Sequence, residues 1–158
     1  MLKISKLADY AVVVMDHLAK KKDLRLSANT IAGETHLKVP VVSKVLKLLL
    51  KAGLLSSEQG FHGGYQLTRS PDLINVAQIV SAVDGQTAVT QCGEGENICD
   101  HDRHCALKNH WRWINQVVVN VLENLTLADM GRSLEQQPIQ FYRQKKLVMK
   151  VGETHECK

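Results

Sequence analysis

This 158-residue chain has no glycine-rich phosphate loop, no serine elbow and no convergent pair of acids, which leaves the common forms of catalysis without their parts. It has no apolar run long enough to cross a bilayer. Its opening, MLKISKLADYAVVVMDHLAKKK, has neither the uninterrupted apolar core nor the small-residue cleavage site of a secretory leader. Four cysteines in this length fall below the density of disulfide-stapled secreted scaffolds. The expectation is a cytoplasmic protein, neither an enzyme nor a membrane protein, in a reducing compartment where clustered cysteines hold metals or do redox work. What is present is a 44% hydrophobic composition, enough for one compact core, and a net charge of +4 that leans toward an anionic partner.

Helical periodicity dominates the first half. Leu7, Ala11, Val14, Met15 and Leu18 recur at helical spacing and predict a helix over 5–20 with one buried face. Ser27 is placed to cap a short helix through SANTIAGE, and a turn follows at 35–38. Pro40 opens a third helix where its missing N–H costs nothing, and Gly53 stops it. The next segment, LLSSEQGFHGGYQLT, reads as two short strands around glycines, a hairpin. That order is a winged helix-turn-helix: a mainly α fold of three helices plus a β-hairpin wing.

The third helix has two faces. Val41, Val42, Val45, Leu46, Leu48, Leu49 and Ala52 share a broad apolar arc, while Ser43, Lys44, Lys47 and Lys51 converge on the opposite one without an acid among them. Such lysines suit phosphates, and Ser43 with the first turn suits base edges in a major groove. Ser27 and Lys38 complete the expected contacts to a double-stranded DNA operator. The Lys20, Lys21 and Lys22 run reads instead as a solvated helix end.

A further helix is expected near 76–83, with Ile79, Val80 and Val83 packing on the same core. Beyond it lies CGEGENICDHDRHC, a nearly apolar-free stretch holding three cysteines and two histidines, which points to organisation by a metal. Cys92, Cys99 and Cys105 are spaced more widely than a structural zinc pair; spacing alone leaves zinc, an iron-sulfur cluster and a metal-free redox loop open. Leu107, Trp111, Ile114, Val118, Val121 and Leu125 then alternate in steps of four and three, a heptad-like seam. The seam suits pairing with a second copy as a homodimer, or packing on the chain's own domain. The segment TLADMGRSLE suggests a short last helix, and Cys157, in a polar tail, reads as an inert thiol. The expected organisation is 1–85 winged helix, 86–105 cysteine loop, 106–131 dimerisation and final helices, and 132–158 polar tail.

Together ISKLADYA, VPVVSKVLKLL, GGYQL, IVSAVDG, the three cysteines and WRWINQ followed by TLADM resemble the IscR/NsrR family of iron-sulfur transcription regulators, over about residues 1–131. The likeness is to the branch regulating SUF-type cluster assembly. It implies a homodimeric winged-helix repressor or activator whose Cys92, Cys99 and Cys105 hold a 2Fe-2S or 4Fe-4S cluster. In the IscR-like branch a histidine three residues after the last cysteine completes the site; Lys108 stands there in this chain. The NsrR-like branch uses an aspartate from the partner subunit, which corresponds to Asp9 in KLADYA; His104 is the alternative, with His101 and His110 nearby. Asp9 points about 160° away from Leu7 yet lies between Val12 and Val13 one turn on, as if a partner covered it. The wing departs from the family as well, with Gln59 where relatives carry an arginine before the wing glycine. Competing expectations are a zinc-stapled or metal-free DNA-binding protein without a sensing role, and a repressor responsive to nitric oxide.

Overall fold

A computed structural model describes residues 4–22, 24–60, 63–85 and 105–133. Helix α1 (Lys6–Lys20) begins where the Ser5 hydroxyl accepts from the Ala8 N–H at 3.1 Å, replacing a hydrogen bond that the first turn cannot make internally. Helix α2 (Ala28–Thr35) starts in the same way, with the Ser27 hydroxyl accepting from the Thr30 N–H at 3.1 Å. Helix α3 (Val39–Lys51) carries Pro40 in its first turn, and Gly53, at φ +71°, turns the chain out of it. Strands β1 (Leu55–Glu58) and β2 (Gly64–Leu67) pair antiparallel, Leu55 opposite Leu67 and Glu58 opposite Gly64.

A 3₁₀ turn (Pro71–Leu73) leads into α4 (Val76–Asp84), whose start is locked by a reciprocal capping box between Asn75 and Gln78. After Cys105 come α5 (Lys108–Asn124) and the four-residue α6 (Leu127–Met130), itself capped reciprocally by Thr126 and Asp129. The chain is mainly helical with one two-stranded hairpin, the expected winged helix.

One core holds the body together. Val14, Met15 and Leu18 of α1, Ile31 of α2, Val42, Val45, Leu46 and Leu49 of α3, Ile74 and Ile79 pack in it. Burying each such side chain is worth about 1.5–3 kcal/mol, so α3 alone contributes several. Several packing expectations need correction. Leu7 is only half-buried, whereas Ala8 is fully buried against Val76 and Val80 of α4. Val41 and Leu48 are half-buried and Ala52 is exposed, so the apolar arc of α3 is narrower than its residue types suggest.

The end of α5 is not a free dimer seam. Leu122 and Leu125 pack on Ala8, Val76 and Val80 of the same chain, and the following Leu127 is fully buried in the main core. Backbone bonds fix that return: the Val76 N–H donates to the Leu125 carbonyl at 2.9 Å and the Leu127 N–H to the Ile74 carbonyl at 2.8 Å. The seam therefore splits, its last member serving the chain's own domain. Among the described residues no helix is long and apolar enough to cross a membrane.

Candidate nucleic-acid interface and cysteine site

Helix α3 is held by its buried face, which leaves the opposite face rigid and outward. Lys44, Lys47 and Lys51 are exposed on it, Ser43 is half-buried, and Lys38, also exposed, precedes the first turn without a side-chain cap. None of these four lysines has an acidic partner among the described residues, whereas Lys20 sits 2.6 Å from Asp16 and Lys21 lies 3.8 Å from Glu34. The difference separates a cationic surface available to phosphates from one already neutralised. The lysine run at the end of α1 is thus partly paired within the molecule, consistent with its expected role as a solvated end.

Two apolar residues at the tip of α3 were not among the expected DNA contacts. Val39 is 42% exposed and Pro40 is exposed beside it, an apolar lip next to Lys38 and Ser43. A first-turn apolar group on a recognition helix matches the methyl of thymine in the major groove. Val39 has the residue type of a core position, and only its place at the helix start, beside Pro40, sets it apart. Ser27 is differently occupied: its hydroxyl caps α2 and lies 2.8 Å from the Thr30 hydroxyl, so its first role is to hold the helix-turn-helix in shape.

The turn before α2 joins the hairpin as a third short strand. Leu26 and Tyr65 exchange backbone hydrogen bonds at 3.1 and 2.9 Å. Gly64, at φ +151°, makes this possible, because a Cβ there would lie 2.7 Å from the Leu26 carbonyl oxygen. His17 of α1 sits 2.6 Å from Glu34 of α2, a second tie that fixes α2 against the body. The wing is thus pinned to the helical body rather than hanging from it. Gln59 is exposed at its tip, and Phe61 and His62 lie outside the described residues.

Of the expected metal ligands, Cys105 and Asp9 are described; Cys92, Cys99, His101 and His104 lie outside the described residues, as do Cys157 and 134–158. Cys105 is a free, half-buried thiol three residues before α5. Asp9 is exposed in the first turn of α1, and its carboxylate has no hydrogen-bond or ion-pair partner among the described residues. Among the described residues no three His, Cys, Asp or Glu side chains converge. The two described donors are a soft thiol and a hard carboxylate, types that iron can accept, and they lie on separate elements of the chain. His110, on α5, is exposed.

The root of the cysteine segment is tied to the helix that carries Asp9. Asp84, the last residue of α4, accepts from the Ser5 N–H at 3.1 Å and from the Ser5 hydroxyl at 2.5 Å. At the other end of the described structure Asp129 has its pKa lowered, chiefly by its hydrogen bond with the Thr126 side chain, and further by the Thr126 N–H and Arg132.

Residues 4–133 match the family model described as Rrf2, iron-dependent transcriptional regulator. The HTH-type transcriptional regulator CymR of Bacillus subtilis is 30% identical over 144 residues, covering 89% of this chain and 99% of that protein. The regulator IscR of Aliivibrio salmonicida is 27% identical over 139 residues, 87% of this chain and 82% of that one. Among solved structures, CymR, described as the global cysteine regulator of B. subtilis, superposes with a TM-score of 0.67 at 30% identity, over 83% of this chain and 97% of that one. IscR of T. potens superposes with a TM-score of 0.62 at 32% identity, over 82% and 85%.

Proposed function

This chain belongs to the Rrf2 family of transcriptional regulators, and from that membership we propose that it acts as a cytoplasmic homodimer whose hold on a DNA operator is set by an iron-sulfur cluster. DNA binding and regulation of transcription come with the family; the homodimer, the cluster and repression of cluster-assembly genes are the proposal. The observation that supports it most is the lysine face of α3, rigid, exposed and without internal acids, beside a pinned hairpin wing. In this reading Lys44, Lys47 and Lys51 hold phosphates, Lys38 and Ser43 flank the first turn, and Ser27 keeps α2 seated beneath them.

Cys92, Cys99 and Cys105 would hold the cluster, with Asp9 of the partner chain as fourth ligand and His104 as the alternative. When bound, such a cluster supplies a centre that oxygen, nitric oxide or iron shortage can destroy, and a carboxylate ligand makes it easier to lose than a fourth thiolate would. The protein's own part is mechanical. The cysteine segment starts at the Ser5–Asp84 contact and ends at α5, so ordering it constrains both α1 and the helix proposed to pair with a second copy.

Chain preparation without oxygen, iron and sulfide analysis, and operator titration of the loaded and emptied forms test this reading. Two irons or four per site, with operator affinities differing between forms, are expected. Equal affinities would remove the sensing role. The likeness to CymR over nearly that protein's whole length, together with Lys108 in place of a histidine, favours a second reading in which the cysteines hold zinc or no metal. A colourless protein that still binds its operator would establish it.

A further inference from the structure

Between Glu58 and Arg69 the wing has no lysine or arginine, so its tip brings no fixed positive charge of its own to DNA. A guanidinium arrives there from outside. Arg25, in the segment between α1 and α2, places its Nη2 2.5 Å from the Glu58 carboxylate at the end of β1. The local cause is the third strand: Leu26 is bonded to Tyr65 on both sides, the Gln66 side-chain amide donates to the Lys22 carbonyl at 3.0 Å, and glycine at 64, opposite Glu58, leaves room for the Leu26 backbone. Residues 24–26 are thereby laid along the hairpin, and the side chain of Arg25 is carried to the base of the wing tip.

We propose that Arg25 is a DNA-contact residue, the cation of the wing, and that Glu58 is an internal competitor which holds it until the anionic DNA backbone replaces the carboxylate. The pair is suited to exchange. Glu58 is 63% exposed and Arg25 28%, and ion pairs so close to solvent are weak. The Arg25 Nη1 is shielded from solvent and has no acceptor among the described residues, so the carboxylate leaves part of the donor fork unused. Phosphate takes a guanidinium in a two-pronged fashion, and a narrow A·T-rich minor groove attracts arginine more strongly than other DNA does. The exchange therefore gives the guanidinium better partners and releases an acid from a surface that faces phosphates.

This inference rests on the reading of α3 and the hairpin as the DNA face, and its test separates the two. The probe is a duplex recovered by the full chain from a random pool roughly 30 bp long, enough for two half-sites a helical turn apart. If Arg25 contacts DNA, Glu58→Gln tightens binding about two- to fivefold per protomer, the range of an exposed ion pair. Arg25→Gln then weakens binding and makes the log affinity against log salt shallower by about 0.9 per protomer. If Arg25 merely props the wing through Glu58, both substitutions weaken binding alike, and the proposal is overturned; it is equally overturned if neither has an effect. Arg25→Lys keeps the charge and decides the matter should Arg25→Gln unfold at lower temperature. Lys44→Ala serves as control: if it leaves affinity unchanged, the DNA-face reading fails instead. With A·T and G·C flanks compared, a loss on Arg25→Gln confined to A·T flanks assigns the contact to the minor groove, and an equal loss assigns it to phosphate.

Discussion

Helices α3 and α5 carry similar apolar stripes, yet the fold treats them in opposite ways. In α3 four positions of the stripe, Val42, Val45, Leu46 and Leu49, are fully buried against the chain's own core. In α5 no residue is fully buried; Trp111 and Trp113, with Leu107 just before the helix, remain 38%, 53% and 57% exposed, while Leu122 and the following Leu125 pack on Ala8, Val76 and Val80. Amphipathic spacing dictates a helix and an apolar face, but it carries no information about which molecule covers that face. The first helix answers to its own chain and so is held rigid with its lysine face outward, as the proposed contact with DNA requires. The second keeps Trp111, Ile114 and Val118 for another surface, which the proposed homodimer would supply.

The sharpest way to break this contrast is to truncate both stripes. Leu46→Ala is expected to cost about 2–5 kcal/mol, because it leaves a cavity in a close-packed core. Urea unfolding would show it, and Val118→Ala, made at a half-exposed site, is expected to cost under about 1 kcal/mol in dilute solution. A second test charges the open stripe. Ile114→Asp is expected to weaken self-association by about 2 kcal/mol or more, roughly thirtyfold, as for an interface anchor. Sedimentation equilibrium checks it, and an unchanged association constant would mean that α5 does not form the dimer.

Smaller effects probe the polar side of α3. Lys44→Ala and Lys47→Ala should each reduce operator affinity evenly across sequences and lower the salt slope by about 0.9 for each phosphate that is no longer neutralised. Filter binding or anisotropy at several salt concentrations reads this directly. The smallest effect lies where α5 rejoins the body. Thr126→Ala removes one half of a capping box and should cost about 1 kcal/mol. The pKa of Asp129 is lower folded than unfolded, so its stabilisation is present above the ordinary carboxylate range and is lost as pH falls through the lowered value. Thermal melts of Asp129→Asn across acidic pH should therefore lose that part of the pH dependence.

Much of the body was legible because its signals are local. Ser5, Ser27, Pro40 and Gly53 each act on the backbone within a few residues, and they mark helix ends as the structure has them. What escaped depends on distant partners. Leu127 in TLADM has no periodicity to mark it, and Met130 of the same segment is exposed, yet Leu127 is fully buried, held there by its backbone bond to Ile74. Leu125 has the right spacing for a seam and the wrong neighbours. The Arg25–Glu58 pair joins residues far apart in sequence through a strand only as long as Leu26, too short to leave a pattern. Of the proposed cysteine site, Cys105 precedes α5 and Asp9 lies on α1, and Cys92, Cys99 and His104 lie outside the described residues.

Gly85 follows the C-terminal end of α4, and Leu125 is bonded to Val76 at that helix's N-terminal end. Both points therefore belong to one short rod, about 14 Å from end to end at 1.5 Å per residue. In sequence, 86–124 is thus an insertion between the two ends of one short helix, with Leu122 packed back on Val76 and Val80, and a spacer of about six residues would be long enough to replace it. A module plugged in at two fixed points can be exchanged without rebuilding its host, so a single DNA-reading body could carry different chemistries in that slot.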